Sequence, residues 1–207
     1  MRSYKTISVY KINKKYITQK QTGETEPILK GSDLYKFRWK PSDHYILFKP
    51  ESFQQVAPVA YYRAEEKLLY RFICSQLVFA YDNRQTLSLN SCNILIPRIK
   101  ELQIKYILAV LNSRTAQFLI KKQFRSVKVL RSHIEQIPIP SASKLQQDHI
   151  IRMVDDIMKV SDPNRLAALY EEIDQKIFIL YGLSEKEQQI IRESAAGENM
   201  FLSCTLI

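Results

Sequence analysis

Lys121-Lys122-Gln123-Phe124-Arg125-Ser126-Val127-Lys128-Val129-Leu130-Arg131 carries five positive charges and no acid. Cations repeated along a segment suit a row of phosphates, since each can neutralise one charge of a nucleic-acid backbone. Asp82-Asn83-Arg84-Gln85-Thr86 offers a different chemistry, five consecutive donors and acceptors with no apolar side chain. Arg and Asn are side chains that pair with base edges in a groove. Tyr35-Lys36-Phe37-Arg38-Trp39-Lys40 interleaves rings with positive charge, and Tyr35 and Trp39 could stack on an unpaired base. The candidate DNA-contacting residues are therefore Lys36, Arg38, Lys40, Arg71, Asn83, Arg84, Lys121, Lys122, Arg125, Lys128 and Arg131. Phosphate contact is expected of the last five, and base or groove contact of Lys36, Arg38, Asn83 and Arg84. The bland alternatives are a solvated face for the basic run, core packing for Tyr35 and Trp39, and a structural role for Arg71.

No reaction centre stands beside these residues. The four glycines (Gly23, Gly31, Gly182 and Gly197) are too scattered to form a loop that cradles phosphates. His44, His133 and His149 are dispersed, and Cys74, Cys92 and Cys204 form no C-x-x-C pair, so no metal site is expected. The same cysteine usage argues against a disulfide framework and fits a reducing cytosol. No serine is flanked by nucleophile-elbow glycines. Asp43 with Glu65-x-Lys67 loosely satisfies the carboxylate–lysine pattern of a Mg²⁺-dependent nuclease. That pattern is short, and solvated surface charge is the preferred reading.

Charge is partitioned along the chain. Residues 1–131 hold 24 Lys and Arg against 9 Asp and Glu, an excess of 15 positive charges. Residues 132–207 hold 7 against 12, an excess of five negative charges. A basic body and a mildly acidic tail point to a polyanion, with nucleic acid ahead of an acidic membrane surface. No run of about 18 apolar residues exists and no apolar leader opens the chain, so neither a membrane span nor a signal peptide is expected.

Positioning these side chains falls to short strands. Leu68, Tyr70 and Phe72 alternate with Leu69, Arg71 and Ile73; Leu77, Phe79 and Tyr81 alternate with Val78, Ala80 and Asp82. Period-two patterning rich in aromatic and β-branched residues predicts strands, with a third around Ile94 and Ile96. Ser3–Ile12 is a weaker strand candidate. The polar Asp82 loop is then held between two strands, and in an earlier turn Gly31 is expected to supply a positive φ and Asp33 to bond to its own backbone. Ile104–Leu111 has a helical period, Asn112-Ser113 interrupts it, and a second helix follows. The second half of the basic run alternates and reads as a strand. Ile137-Pro138-Ile139-Pro140 is an extended connector. Beyond it three helices are expected, over Lys144–Val160, after the Asp162-Pro163 cap, and after the Ser184/Glu187 capping box. The stripe Leu166, Leu169, Tyr170, Ile173, Ile177, Leu180 and Tyr181 marks the middle one. The expected fold is α+β, a mixed and mostly antiparallel recognition lobe (1–140) followed by a helical tail (141–193). Residues 194–207 are expected to be an irregular or disordered end.

"YRFI…LVFAYD…LNSCNILIP" at 70–97, "YILAVLNS" at 106–113 and "IEQIPIP" at 134–140 resemble the C-terminal target-recognition domain of TaqI-type adenine DNA methyltransferases and of fused restriction–modification enzymes. "ILKGSDLYKFRW" at 28–39 and "YEEIDQKIFILYGLSEKEQQII" at 170–191 extend the resemblance, in the family's order. It implies a domain that reads a short duplex sequence while a methyltransferase catalytic domain flips the target adenine out of the stack. The family's Asn-Pro-Pro-aromatic motif and glycine-containing cofactor loop are absent. The resemblance therefore implies a catalytic domain in cis or in trans, with S-adenosylmethionine bound there and no cofactor in this chain. Double-stranded DNA is the implied partner, no membrane is involved, and the implied location is cytoplasmic. The rival readings are a separate specificity subunit that docks on a methyltransferase through the 166–181 stripe, and the Mg²⁺-dependent nuclease.

Overall fold

In the computed structural model, residues 3–7 (main chain only), 16–53, 56–124 and 126–195 are described. The aromatic and β-branched alternation produces β5 (Lys67–Arg71) and β6 (Phe79–Asp82), antiparallel and in register from Lys67 opposite Asp82 to Tyr70 opposite Phe79. They join β8 (Cys92–Arg98) and β1 (Ser3–Ile7) in one antiparallel sheet of order β1-β8-β5-β6. A second sheet has the order β2-β4-β3-β7 and is built from short pieces: β2 (Ile17–Thr18), β3 (Glu26–Leu29), β4 (Tyr45–Ile46) and β7 (Leu87–Ser88). Its β3–β7 pair is parallel. The short β7 lies between the Asp82 loop and β8, an element the sequence pattern does not reveal.

Alternate residues of a strand point to opposite faces. Leu68, Tyr70, Phe79, Tyr81 and Leu95 face the helices, while Leu69, Val78, Ala80 and Ile94 face the second sheet. Both faces of the central sheet are thus covered, which is why both alternating sets are apolar. Along β5 and β6 the side chains are buried almost throughout, and solvent is reached in the segments beyond their ends.

The helices follow their sequence signals. α1 (Val59–Tyr62) is one turn. α2 (Ile104–Asn112) is buried on every side from Tyr106 onward, and α3 (Arg114–Gln123) starts at Ser113, whose hydroxyl accepts from the Ala116 N–H. α4 (Arg131–Ile134) is one turn. α5 (Lys144–Lys159), α6 (Pro163–Leu180) and α7 (Glu185–Ser194) start at Ser143, Asp162 and Ser184, each capping its own helix. Gly182, at φ +66°, ends α6 in the left-handed conformation that a C′ glycine favours. Leu166, Leu169, Tyr170, Ile173 and Ile177 are buried in the same core as Leu68, Tyr70 and Phe79, with Ile150, Val154 and Ile157 beside them. The 166–181 stripe is buried largely against α5 and α3, so most of it is not a docking face, and buried residues from both sides of residue 140 share this core.

The outer edge of β6 would otherwise leave a row of unpaired main-chain groups. Three elements cover it. Asn112 accepts from the Phe79 N–H (3.0 Å) and donates to the Phe79 carbonyl (2.9 Å). Gln117 accepts from the Leu77 N–H (2.7 Å). A hairpin closed by Leu34 opposite Trp39 turns at Phe37, whose φ of +73° is fixed by its N–H donating to the Phe79 carbonyl and its carbonyl accepting from Tyr81.

The Gly31–Asp33 turn forms as expected, with the Asp33 carboxylate accepting from the Lys30 N–H at 2.8 Å. Gly31 serves close approach rather than positive φ: a Cβ there would lie 2.5 Å from the Ser91 carbonyl oxygen. The far end of the Ser3–Ile12 strand candidate and the expected irregular end past residue 195 lie outside the described residues.

Candidate nucleic-acid interface

The Asp82 loop is built on a buried carboxylate. Asp82 accepts from the Arg84 N–H (3.2 Å), the Thr86 N–H (3.0 Å) and the Thr86 hydroxyl (2.8 Å). On the carboxylate's other side stands the Lys67 ammonium, 2.5 Å away, which also donates to the Tyr62 carbonyl. Neither side chain of the pair is exposed. Burial pulls the Lys67 pKa down, and the Asp82 charge opposes that shift. This Asx-type loop leaves Asn83, Arg84 and Gln85 exposed, with Gln85 at φ +55°. The Arg84 guanidinium lies over the Trp39 ring at 5.4 Å, and the Trp39 indole donates to the Tyr81 carbonyl at 3.1 Å. Trp39 is thus half-buried and occupied by its neighbours, as core packing requires. Charge of both signs surrounds this end: Glu65 and Glu66 are exposed, and Arg63 holds Glu26 through two bonds while donating to the Gln85 carbonyl at 3.4 Å.

At the opposite end of β5 and β6 lies the basic run. α3 delivers Lys121 and Lys122 to the surface, with the Lys122 ammonium 5.5 Å from the Phe118 ring. Phe124 stacks on His133 at 3.9 Å. The chain then extends and pairs with the continuation of β5. Ile73 bridges Lys128, the Cys74 N–H donates to the Val127 carbonyl (2.9 Å), and the Val129 N–H donates to the Phe72 carbonyl (2.8 Å). The strand expected here is that single bridge. Lys128 and Arg131 are exposed, and Arg131 meets Glu135 one helical turn on at 2.7 Å. An exposed pair of this kind contributes little and leaves the arginine available. Arg125 lies outside the described residues. Six residue steps separate Lys67 from Ile73, so the loop and the run project about 20 Å apart at extended-chain spacing.

Three of the candidates face inward. Lys36 is buried and donates to the Asn112 carbonyl at the end of α2 (3.0 Å). Arg38 donates to the Val160 carbonyl (2.8 Å), closing the hairpin against the end of α5. Arg71 is half-buried and donates to the Leu34 carbonyl (2.5 Å), the structural role foreseen as its alternative. Surface contact by Lys36 is corrected by its burial: the ammonium helps hold the hairpin on the helices. Lys40, Asn83, Arg84, Lys121, Lys122, Lys128 and Arg131 are exposed. Near Lys36 lies Asp174 of α6, which accepts from the Arg114 N–H at 2.9 Å. Burial raises this carboxyl to about 6, against the pull of Arg114 and Lys36.

The nuclease constellation does not assemble. Lys67 is enclosed against Asp82, whereas Asp43 is exposed and paired with His44 and Lys30. Among the described residues, no three His, Cys, Asp or Glu side chains gather as a metal site, and no helix is long and apolar enough to cross a membrane. Residue type does not single out the β5–β6 turn, Phe72–Gln76, because Ile73 at a strand end reads as core. Its main chain is held by the distant 126–129 segment.

No curated protein matches the chain. Among solved structures it is similar to that of the Type IIL restriction-modification enzyme MmeI in complex with DNA, with a TM-score of 0.58 at 12% identity. The similarity covers 89% of this chain and 31% of that one, so this chain spans under a third of MmeI's length. The family model of the TaqI-like C-terminal specificity domain matches residues 26–139, from the β3 strand through the edge-covering helices to the proline connector. That match takes in more than half of the sequence, and the chain belongs to the TaqI-like C-terminal specificity domain family.

Proposed function

We propose that this chain is the DNA target-recognition domain of a restriction–modification N6-adenine methyltransferase. The observation that carries the reading is the acid-free basic run, which brings Lys121, Lys122, Lys128 and Arg131 to one exposed end of a specificity-domain fold. These cations contact phosphates of duplex DNA. A methyltransferase catalytic domain, in the same polypeptide or as a partner, binds S-adenosylmethionine and performs the transfer, while this chain needs no cofactor. Such a system works in the cytoplasm.

Titration of labelled duplex with this chain at several salt concentrations tests the reading. Each neutralised phosphate contributes about −0.9 to the slope of log K against log salt, so four contacts give roughly −3.6. Affinity that does not change with salt sinks the proposal. Incubated with S-adenosylmethionine alone, the chain should leave DNA unmethylated.

A further inference from the structure

The basic end carries a feature that phosphate binding does not use. Ile73 is 61% exposed, Val127 60% and Leu130 40%, all beside the lysines. Residues directly opposite in an antiparallel pair share a face, and so do residues two apart along a strand. Ile73, its partner Lys128 and Leu130 therefore emerge together. Hydrocarbon left in water is costly, and a phosphate offers it nothing. Base edges and base steps do: the thymine methyl and the gap between unstacked bases both accept apolar side chains.

The backbone that presents Ile73 is fixed from two sides. The 126–129 segment bonds to Phe72 and Cys74. From α3, Gln117 accepts from the Leu77 N–H and donates to the Ser75 carbonyl at 3.3 Å. The turn is therefore fixed at both ends, as the Asp82 loop is, and it stands in a predominantly positive surface, where Glu135 beside Arg131 is the exception. Charge complementarity names the occupant as duplex DNA.

We propose that Ile73, flanked by Leu130, makes the apolar base contacts through which this domain discriminates sequence, on a duplex held by Lys121, Lys122, Lys128 and Arg131. The proposal rests on the DNA-binding reading above. It moves sequence readout from the Asp82 loop to the β5–β6 turn.

Selection from a random duplex pool, using the full chain at low salt, tests it. The wild-type chain should enrich a motif. Ile73→Ala should lose about fourfold to fifteenfold on that motif, the size expected when one or two methyl groups leave contact, and nothing on a scrambled duplex. Ile73→Thr keeps the β-branched shape and should show the same selective loss, so misfolding is excluded as its cause. Ile179→Ala, removing an equally exposed aliphatic side chain from α6, should change neither duplex. Equal loss on both duplexes, no loss on either, or a motif that shifts with Arg84→Ala but not with the Ile73 variants would overturn the proposal. A wild-type chain that binds duplex without enriching any motif overturns this inference alone. One that binds no duplex overturns the DNA-binding reading as well.

Discussion

The Asp82–Thr86 loop and the Phe72–Gln76 turn leave the same two strands at opposite ends, and they are held by different means. The loop is organised by an enclosed ion pair, Lys67 with Asp82, and its surroundings mix Glu65, Glu66, Arg63 and Arg84. The turn is organised by main-chain bonds to 126–129 and by the Gln117 amide, and its surroundings are Lys121, Lys122, Lys128 and Arg131. Donor-rich composition marks the first as the reader. A predominantly positive surface, with aliphatic side chains left exposed, marks the second. The difference teaches that a polar loop can owe its composition to its own folding, since Asp82 and Thr86 are used up in closing it.

The largest effect that would sharpen this contrast comes from the enclosed pair. Lys67→Met leaves the Asp82 carboxylate buried without its cation, which should cost about 3–5 kcal/mol. Urea denaturation measures it, and Lys67→Met with Asp82→Asn should recover part of the loss. DNA affinity at the far end should follow only the folded fraction. A variant that stays as stable as wild type but loses DNA binding would reverse the roles of the two ends.

What could be read in advance divides along the range of the interactions. The helices were legible because caps and apolar periods are local: Asp162 with Pro163, Ser184 with Glu187, and the 166–181 stripe. The β5–β6 register was legible because both strands alternate. The β3–β7 pairing was not, since the two residues of β7 carry no period and the partners are some 60 positions apart. The left-handed Phe37 had no local signal, because its conformation is imposed by bonds to β6. In the site, the basic run was legible from residue types. The inward turn of Lys36 and Arg38 was not, because their acceptors, the Asn112 and Val160 carbonyls, become partners only once the hairpin and helices pack.

Interior charge leaves a second mark, in the pH dependence of stability. The Asp174 carboxyl is raised from 3.8 to about 6, so the folded chain holds that proton more tightly than the unfolded chain. Its contribution is fully present below about pH 4 and is lost as pH rises through about 6. Glu26, Asp43, Asp148 and Glu187 are held low by hydrogen-bonded partners and act in the opposite sense, losing stability as pH falls below about 4. The unfolding free energy from urea titrations should therefore decline between pH 4 and 7 by an amount on the order of 1–3 kcal/mol. Asp174→Asn should flatten that window. A variant with the wild-type slope would place the titrating group elsewhere.

At the basic end single charges matter less, because each is exposed. Lys128→Ala should weaken all duplexes alike and lower the salt slope by about 1, leaving sequence preference unchanged. A change in preference would mean that Lys128 reads bases beside Ile73.

Arg84→Ala is the smallest change and the most direct comparison of the two ends. As a reader, Arg84 would be worth about 1–3 kcal/mol on a cognate duplex alone. Its position argues for less. The guanidinium lies over Trp39 at 5.4 Å, an exposed cation–π contact worth about 0.5–1 kcal/mol of stability. The loop's own bonds run through the Asp82 carboxylate to the Arg84 main-chain N–H, which alanine retains. About 20 Å of strand separates it from the basic run, beyond the roughly 8 Å Debye length at physiological salt, so its charge should barely reach DNA held there. Arg84→Ala should therefore lower stability by under about 1 kcal/mol and change affinity for selected and scrambled duplexes equally, by less than about threefold. Urea midpoints and paired titrations on the two duplexes measure both. A loss confined to the selected duplex would return sequence readout to the Asp82 loop.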